Sequence, residues 1–161
     1  MSDLFPVDQQ VVRSGAGMRE LGERLSRILY RGDVVLLHGD LGAGKTTLVQ
    51  GLAQGLGIEG PVQSPTFAIV AEHEGLDPGG ERLILYHLDL YRLTDPHELH
   101  SIGYDQYLEP HDGVSAIEWP ERAGDWLPDR FILVKIEHAG ADVRHVSITR
   151  HELGGLSPPT S

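Results

Sequence analysis

Apolar residues along the chain fall in short runs broken by glycine- and proline-bearing turns, and the spacing inside each run predicts an element. Val34–His38 (VVLLH) is apolar at four successive positions, the pattern of a strand covered on both faces. Residues 47–56 (TLVQGLAQGL) read as the helix that follows. Upstream, residues 16–29 place Leu21, Leu25, Ile28 and Leu29 on one helical stripe, with Ser14 where an N-cap belongs and residues 11–13 as a short edge strand. Downstream, residues 66–70 (TFAIV) and 82–88 (RLILYHL) read as two strands joined hairpin-fashion through the turn 75–80 (GLDPGG). Thr94 and Pro96 open a short helix, residues 114–118 (VSAIE) form a buried strand, and residues 131–137 and 143–149 make a final hairpin around Gly140. Two hairpins make the sheet partly antiparallel, so the pattern predicts an α/β three-layer sandwich with a mixed sheet. It forms one domain over residues 10–151, with a flexible stretch at 1–9 and a disordered tail at 152–161.

Between the first buried strand and its helix, residues 39–46 read G-D-L-G-A-G-K-T and match G-x-x-x-x-G-K-[ST] at every position. In a phosphate-binding loop of this spacing, Asp40, Leu41, Gly42, Ala43, Gly44, Lys45, Thr46 and Thr47 present backbone amides to the phosphates. The lysine reaches the terminal ones. Strand, glycines and helix start come in the order the chemistry needs, because a helix N-terminus offers amide donors and a positive dipole end. The sandwich is thus expected to be P-loop NTPase-like, and the chain to bind a nucleoside triphosphate. Lys45 and Lys135 are the only lysines among thirteen basic residues. A slim ammonium at position 45 suits a phosphate cradle as a point charge.

A phosphate loop works with Mg²⁺, which takes hard oxygen ligands. Thr46 supplies a hydroxyl by its motif position, and a carboxylate is expected at the end of a neighbouring strand. Asp89 and Glu118 both qualify. One would hold the ion or its waters and the other would orient or deprotonate the attacking water, but spacing alone does not assign the two roles. Trp119 and Pro120 after Glu118 either stiffen that loop, stack on a base or partner, or pack in the core. Ser64-Pro65-Thr66 reads either as a segment reaching the γ-phosphate or as a plain turn. Nine histidines invite a metal reading, but His97 and His100 lie three apart, whereas H-E-x-x-H needs four. His87 shares a strand face with Asp89, as a support for that acid or, the favoured reading, as a packed and satisfied core residue.

Composition narrows the partners. The chain has 161 residues, no cysteine, 40% hydrophobic residues and a net charge of −11. Disulfides and thiol chemistry are excluded, and no apolar run has the roughly 20 residues of a membrane span. No secretory signal is visible, so a cytoplasmic location is expected. An acidic surface repels nucleic-acid phosphates, which points to protein partners rather than direct nucleic-acid binding. Arg24, Arg27 and Arg31 fall on one helical side, read as a solvated face paired with Glu20 and Glu23 rather than a docking patch. No N-K-x-D sequence occurs to read guanine, and no Arg-rich lid segment follows residue 92, which disfavours a small-molecule kinase.

Four segments in order, G-D-L-G-A-G-K-T-T (39–47), S-P-T-F (64–67), Y-H-L-D-L-Y-R (86–92) and E-W-P (118–120), resemble the TsaE (YjeE) family over roughly residues 10 to 150. The resemblance implies a compact P-loop fold and slow, partner-dependent ATP hydrolysis. It also implies work with TsaD and TsaB in forming threonylcarbamoyladenosine at position 37 of ANN-decoding tRNAs. Carried over by position, Thr46 and Glu118 correspond to the magnesium-linked pair, Asp89 to the acid needed for hydrolysis and Trp119 to the aromatic beside the site. Ser14 falls where family members contact the base, in an unusually glycine-rich segment. A nucleotide-gated binding module without productive hydrolysis is the reading of another class.

Overall fold

The computed structural model describes residues 8–62, 65 and 69–152. The expected loose ends up to residue 7 and from residue 153, Ser64, and most of the strand expected at 66–70 lie outside the described residues. In chain order the elements are β1 (Asp8–Val12), α1 (Gly15–Ser26), β2 (Val34–His38), α2 (Lys45–Gly55), β3 (Val70–Leu76), β4 (Arg82–Asp89), α3 (Glu98–Ser101), α4 (Tyr104–Leu108), β5 (Gly113–Glu118), a single 3-10 turn (Pro120–Ala123), β6 (Arg130–His138) and β7 (Arg144–Glu152).

The seven strands form one sheet in the order β1-β7-β6-β2-β5-β4-β3. Its centre, β6-β2-β5-β4, is parallel, while β7, β1 and β3 are antiparallel additions at the two sides. The expected mixed three-layer α/β/α sandwich is therefore the fold. Along β2 the side chains alternate between two cores. Val35 and Leu37 pack with Leu21, Leu25, Leu48 and Leu52 of α1 and α2. Val34 and Leu36 pack with Leu99, Tyr104 and Leu108 of α3 and α4. That double burial explains why the strand is apolar at successive positions.

Helices α1 and α2 cross with almost no space between their backbones. A Cβ on Gly51 would stand 2.0 Å from the Arg19 carbonyl oxygen, and one on Gly22 would stand 2.2 Å from that of Leu48. Both distances are well inside van der Waals contact, so only glycine fits this crossing. The close approach also brings the start of α1 beside the start of α2. Ser14 caps α1 as expected, its Oγ accepting from the Gly17 amide at 3.0 Å.

Several boundaries differ from the sequence reading. Asp8 and Gln9, expected to be flexible, belong to β1 and pair with Ile148 and Ser147, and Glu152 still belongs to β7. The helix expected to reach residue 29 ends at Ser26, and α2 starts at Lys45, two residues early. The strand β3 begins at Val70, where the expected strand was to end, and runs through Gly75 and Leu76, expected to be a turn. Its residues facing α2 are Ala71, His73 and Gly75, small or polar, so hydrophobic alternation did not mark it. Pairing with β4 supplies the order instead. Arg24 donates to Gln10 and Arg31 to Asp77, each at 2.9 Å, rather than to Glu20 or Glu23.

Candidate functional site

Parallel packing of β2, β5 and β4 carries three chain segments to the same edge of the sheet, beyond the strands' carboxyl ends. From β2 the chain enters residues 39–44 and turns directly into α2. Gly44, the N-cap of α2, has φ +113, a left-handed conformation that glycine adopts without strain. The Ala43 amide donates to the Asp40 carbonyl at 3.0 Å, and the Leu48 amide closes the first helical turn on Gly44 at 2.9 Å. The amides of the first α2 turn therefore lie at the positive end of the helix, facing the cleft.

Lys45, the first residue of α2, is buried, and its ammonium donates to the carbonyl of Gly39. The same group stands 3.6 Å from the centre of the Trp119 ring, in cation–π contact. Burial pulls the Lys45 pKa below its ordinary value, and the carboxylates of Glu118, Glu121, Asp89 and Asp40 oppose that shift. A cation held this way, partly desolvated and short of a matched anion, is poised for an incoming negative group.

Asp89 and Glu118 end β4 and β5 and are directly paired in the parallel register. Their surroundings differ. Glu118 is buried; Thr46 Oγ1 donates to its Oε2 at 3.0 Å, and His87 Nε2 lies 2.7 Å from the same oxygen. Asp89 is less enclosed, and its Oδ1 accepts from the Tyr91 amide at 3.0 Å. The partner of His87 is therefore Glu118 rather than Asp89. Nor is His87 a fully satisfied core residue: its Nδ1 is buried without a partner among the described residues.

Trp119 is the one non-glycine residue with positive φ among the described residues, at +59. Pro120 disfavours the right-handed helical conformation for the residue before it, and the left-handed alternative costs about 1–3 kcal/mol. The turn aims the indole across the cleft at Lys45, while Tyr91 packs on it with ring centres 4.9 Å apart. Arg122 adds its guanidinium 5.1 Å from the Tyr91 ring.

Two adjoining clefts result. One, of about 280 Å³, is lined by residues 41–47 with Asp89, Tyr91, Glu118 and Trp119. The other, of about 400 Å³, is lined by Arg13, Ser14, Met18, residues 42–44 and Thr47, together with Asp142 and Arg144. Asp40 takes part through its backbone, and Leu41 is largely exposed at the rim. The fold thus gathers Lys45, Thr46, Asp89, Glu118 and Trp119 in the first cleft, and places Ser14 in the second, where its hydroxyl oxygen is already engaged as the α1 cap. Ser64 and Thr66 lie outside the described residues.

Arg144 went unnoticed in the sequence. It starts β7, and its Nε donates to the Ala43 carbonyl at 3.1 Å while its Nη2 donates to that of Gly42 at 3.3 Å. These bonds engage two loop carbonyls, and no local motif marks a residue about a hundred positions away. Tyr91 lay within a conspicuous run, yet only the folded turn shows that its amide holds Asp89.

The family model described as "Threonylcarbamoyl adenosine biosynthesis protein TsaE" matches residues 12–146. The chain is 43% identical over 137 residues to a tRNA threonylcarbamoyladenosine biosynthesis protein TsaE of Streptomyces coelicolor, covering 82% of this chain and 89% of that protein. It is 38% identical over 144 residues to the protein of that name from Haemophilus influenzae, covering 86% and 87%. Among solved structures it resembles Bacillus subtilis YdiB, with a TM-score of 0.71 at 29% identity over 91% of this chain and 86% of that one. Among the described residues no helix is long and apolar enough to cross a membrane.

Proposed function

The chain belongs to the TsaE family of threonylcarbamoyl adenosine biosynthesis proteins, and on that premise we propose that it is the ATP-binding and ATP-hydrolysing component of this tRNA modification. It acts in the cytoplasm with a TsaD–TsaB-type complex that forms N6-threonylcarbamoyladenosine at position 37 of tRNAs reading ANN codons. The observation that carries this reading is the convergence of Lys45, Thr46, Glu118 and Asp89 on one cleft at the start of α2.

The residues divide the work. Amides of the loop and of the first α2 turn surround the phosphates, and Lys45 leaves Gly39 and Trp119 for the terminal ones. Thr46 and Glu118 form a compact hard-oxygen donor set, which fits Mg²⁺. Among the described residues no cluster of three or more His, Asp or Glu side chains could hold a metal. The ion would therefore share its shell with phosphate oxygens and water, as Mg²⁺ commonly does. When bound, it supplies positive charge that lowers the repulsion between phosphates and nucleophile. Asp89, oriented by the Tyr91 amide, is the acid that positions and deprotonates the attacking water. Trp119 and Tyr91 wall the cleft, and the second cleft along Ser14, Met18 and Arg144 takes the nucleoside.

Phosphate release measured with and without the TsaD–TsaB-type partners tests this function. Lys45→Ala is expected to weaken ATP binding by about 100-fold, the scale of one strong charge-assisted hydrogen bond. Asp89→Ala should bind ATP normally and lose about 100-fold or more of partner-stimulated hydrolysis. Hydrolysis at the wild-type rate by Asp89→Ala in the presence of the partners would overturn its role. Partner-independent transfer of phosphate to a metabolite would make the protein a kinase instead. ATP-dependent association without turnover would make it a gated binding module.

A further inference from the structure

His87 lies on β4 two residues before Asp89, on the sheet face that meets α2, and is fully buried. In the parallel register its strand partner is Ala116, so the ring reaches diagonally along β5 to Glu118, where Nε2 and Oε2 are 2.7 Å apart. The other ring nitrogen, Nδ1, is buried and has no hydrogen-bond partner among the described residues. This asymmetry selects the tautomer. A hydrogen on Nδ1 would be a buried donor with no acceptor, at a cost of about 1–3 kcal/mol, whereas a bare lone pair is tolerated more easily. The hydrogen therefore sits on Nε2 and is donated to the carboxylate.

Glu118 Oε2 thus receives two donors, from His87 and from Thr46. The Thr46 hydroxyl has one hydrogen, and its bond to Glu118 orients that hydrogen toward the carboxylate. A carboxylate pinned by His87 consequently fixes the Thr46 rotor as well. We infer that His87 is a positioning residue that holds Glu118, and through it Thr46, in the orientation a nucleotide-bound Mg²⁺ requires. This rests on the nucleotide reading above. Asp89, whose Oδ1 accepts from the Tyr91 amide, is a second acid with a support of its own. The two carboxylates thereby keep distinct orientations although they are neighbours in the sheet.

Two measurements test it. Long-range nitrogen–proton correlation NMR on histidine-labelled, nucleotide-free protein should show a single arrangement of the His87 ring with the hydrogen on Nε2. A hydrogen on Nδ1, or averaging between tautomers, would overturn the inference, and this readout needs no variant to fold. The second compares ATP affinity in EDTA and in Mg²⁺ for wild type, His87→Leu and His87→Gln. His87→Leu should bind metal-free ATP like wild type but lose about 10-fold or more of the gain on adding Mg²⁺, the scale seen when a metal ligand loses the hydrogen-bond partner that orients it. His87→Gln, which keeps an N–H within similar reach, should recover most of that gain. If His87→Leu keeps the full Mg²⁺ effect, His87 only packs and the inference fails. Absence of ATP binding by wild type would instead defeat the nucleotide reading, and the tautomer would still report on the His87–Glu118 bond.

Discussion

Lys45 is held in place by weak partners, two loop carbonyls and the face of Trp119, which is what a residue awaiting a stronger one needs. A cation–π contact contributes about 0.5–2 kcal/mol, while a charge-assisted hydrogen bond to phosphate contributes about 1.5–3, so a bound triphosphate wins the ammonium. Trp119 should therefore report nucleotide binding. The chain has two tryptophans, and replacing Trp126 by phenylalanine leaves Trp119 as the emitter. Saturating ATP is expected to shift or quench its fluorescence as Lys45 moves away. Unchanged emission, with binding verified by calorimetry, would show that the ammonium stays on the ring.

At the scale of elements, the site depends on how closely α1 approaches α2. Gly51→Ala adds one methyl group where the Arg19 carbonyl already stands. The helix propensity gained, up to about 1 kcal/mol, is smaller than an overpacking cost of about 1–3 kcal/mol, and the obstacle here is backbone that cannot rotate aside. The variant should melt about 5 °C or more below wild type. It should also bind ATP more weakly, because Ser14 and Met18 ride on the displaced helix. Paired thermal melts and ATP titrations check this, and an unchanged melting temperature would refute the crossing argument. The helices and parallel strands that build this region were legible from periodicity, since each carries its own apolar pattern. The start of β3 was not, because an edge strand whose inward residues are Ala71, His73 and Gly75 borrows its order from β4.

Across the whole molecule, the sheet face opposite α1 and α2 is held by a tyrosine-rich layer. Burial pushes the Tyr86 phenol up to about 12 and raises Tyr104 and Tyr107 as well, and the Tyr86 and Tyr107 rings meet edge-on at 5.3 Å. A pKa raised by folding means that the native state prefers the protonated phenol. The contribution is complete below the unfolded value of about 10 and is lost as pH rises through about 12 for Tyr86. Urea midpoints should hold steady as pH approaches 10 and fall above it, with these three tyrosines resisting ionisation at 295 nm until unfolding. Loss of stability well below that range, or simultaneous ionisation of all five tyrosines, would contradict the burial. The net charge of −11 acts at the same scale: it disfavours polyanions over most of the surface, so the nucleotide binding proposed above would depend on the concentrated field at the start of α2.

By itself the sequence determined what is local. The G-x-x-x-x-G-K-T loop could be placed between strand and helix because its residues are contiguous, and the Ser14 cap because it acts three residues away. It also named both acids, since each ends an apolar strand. The tertiary structure decided what these pieces do to one another. Strand pairing set Asp89 beside Glu118, brought Thr46 and His87 to Glu118, and placed the Tyr91 amide on Asp89. It also brought Arg144 back across the chain to the carbonyls of Gly42 and Ala43. Such contacts depend on register and on side-chain reach between distant segments, and nothing in the spacing along one strand encodes the strand beside it.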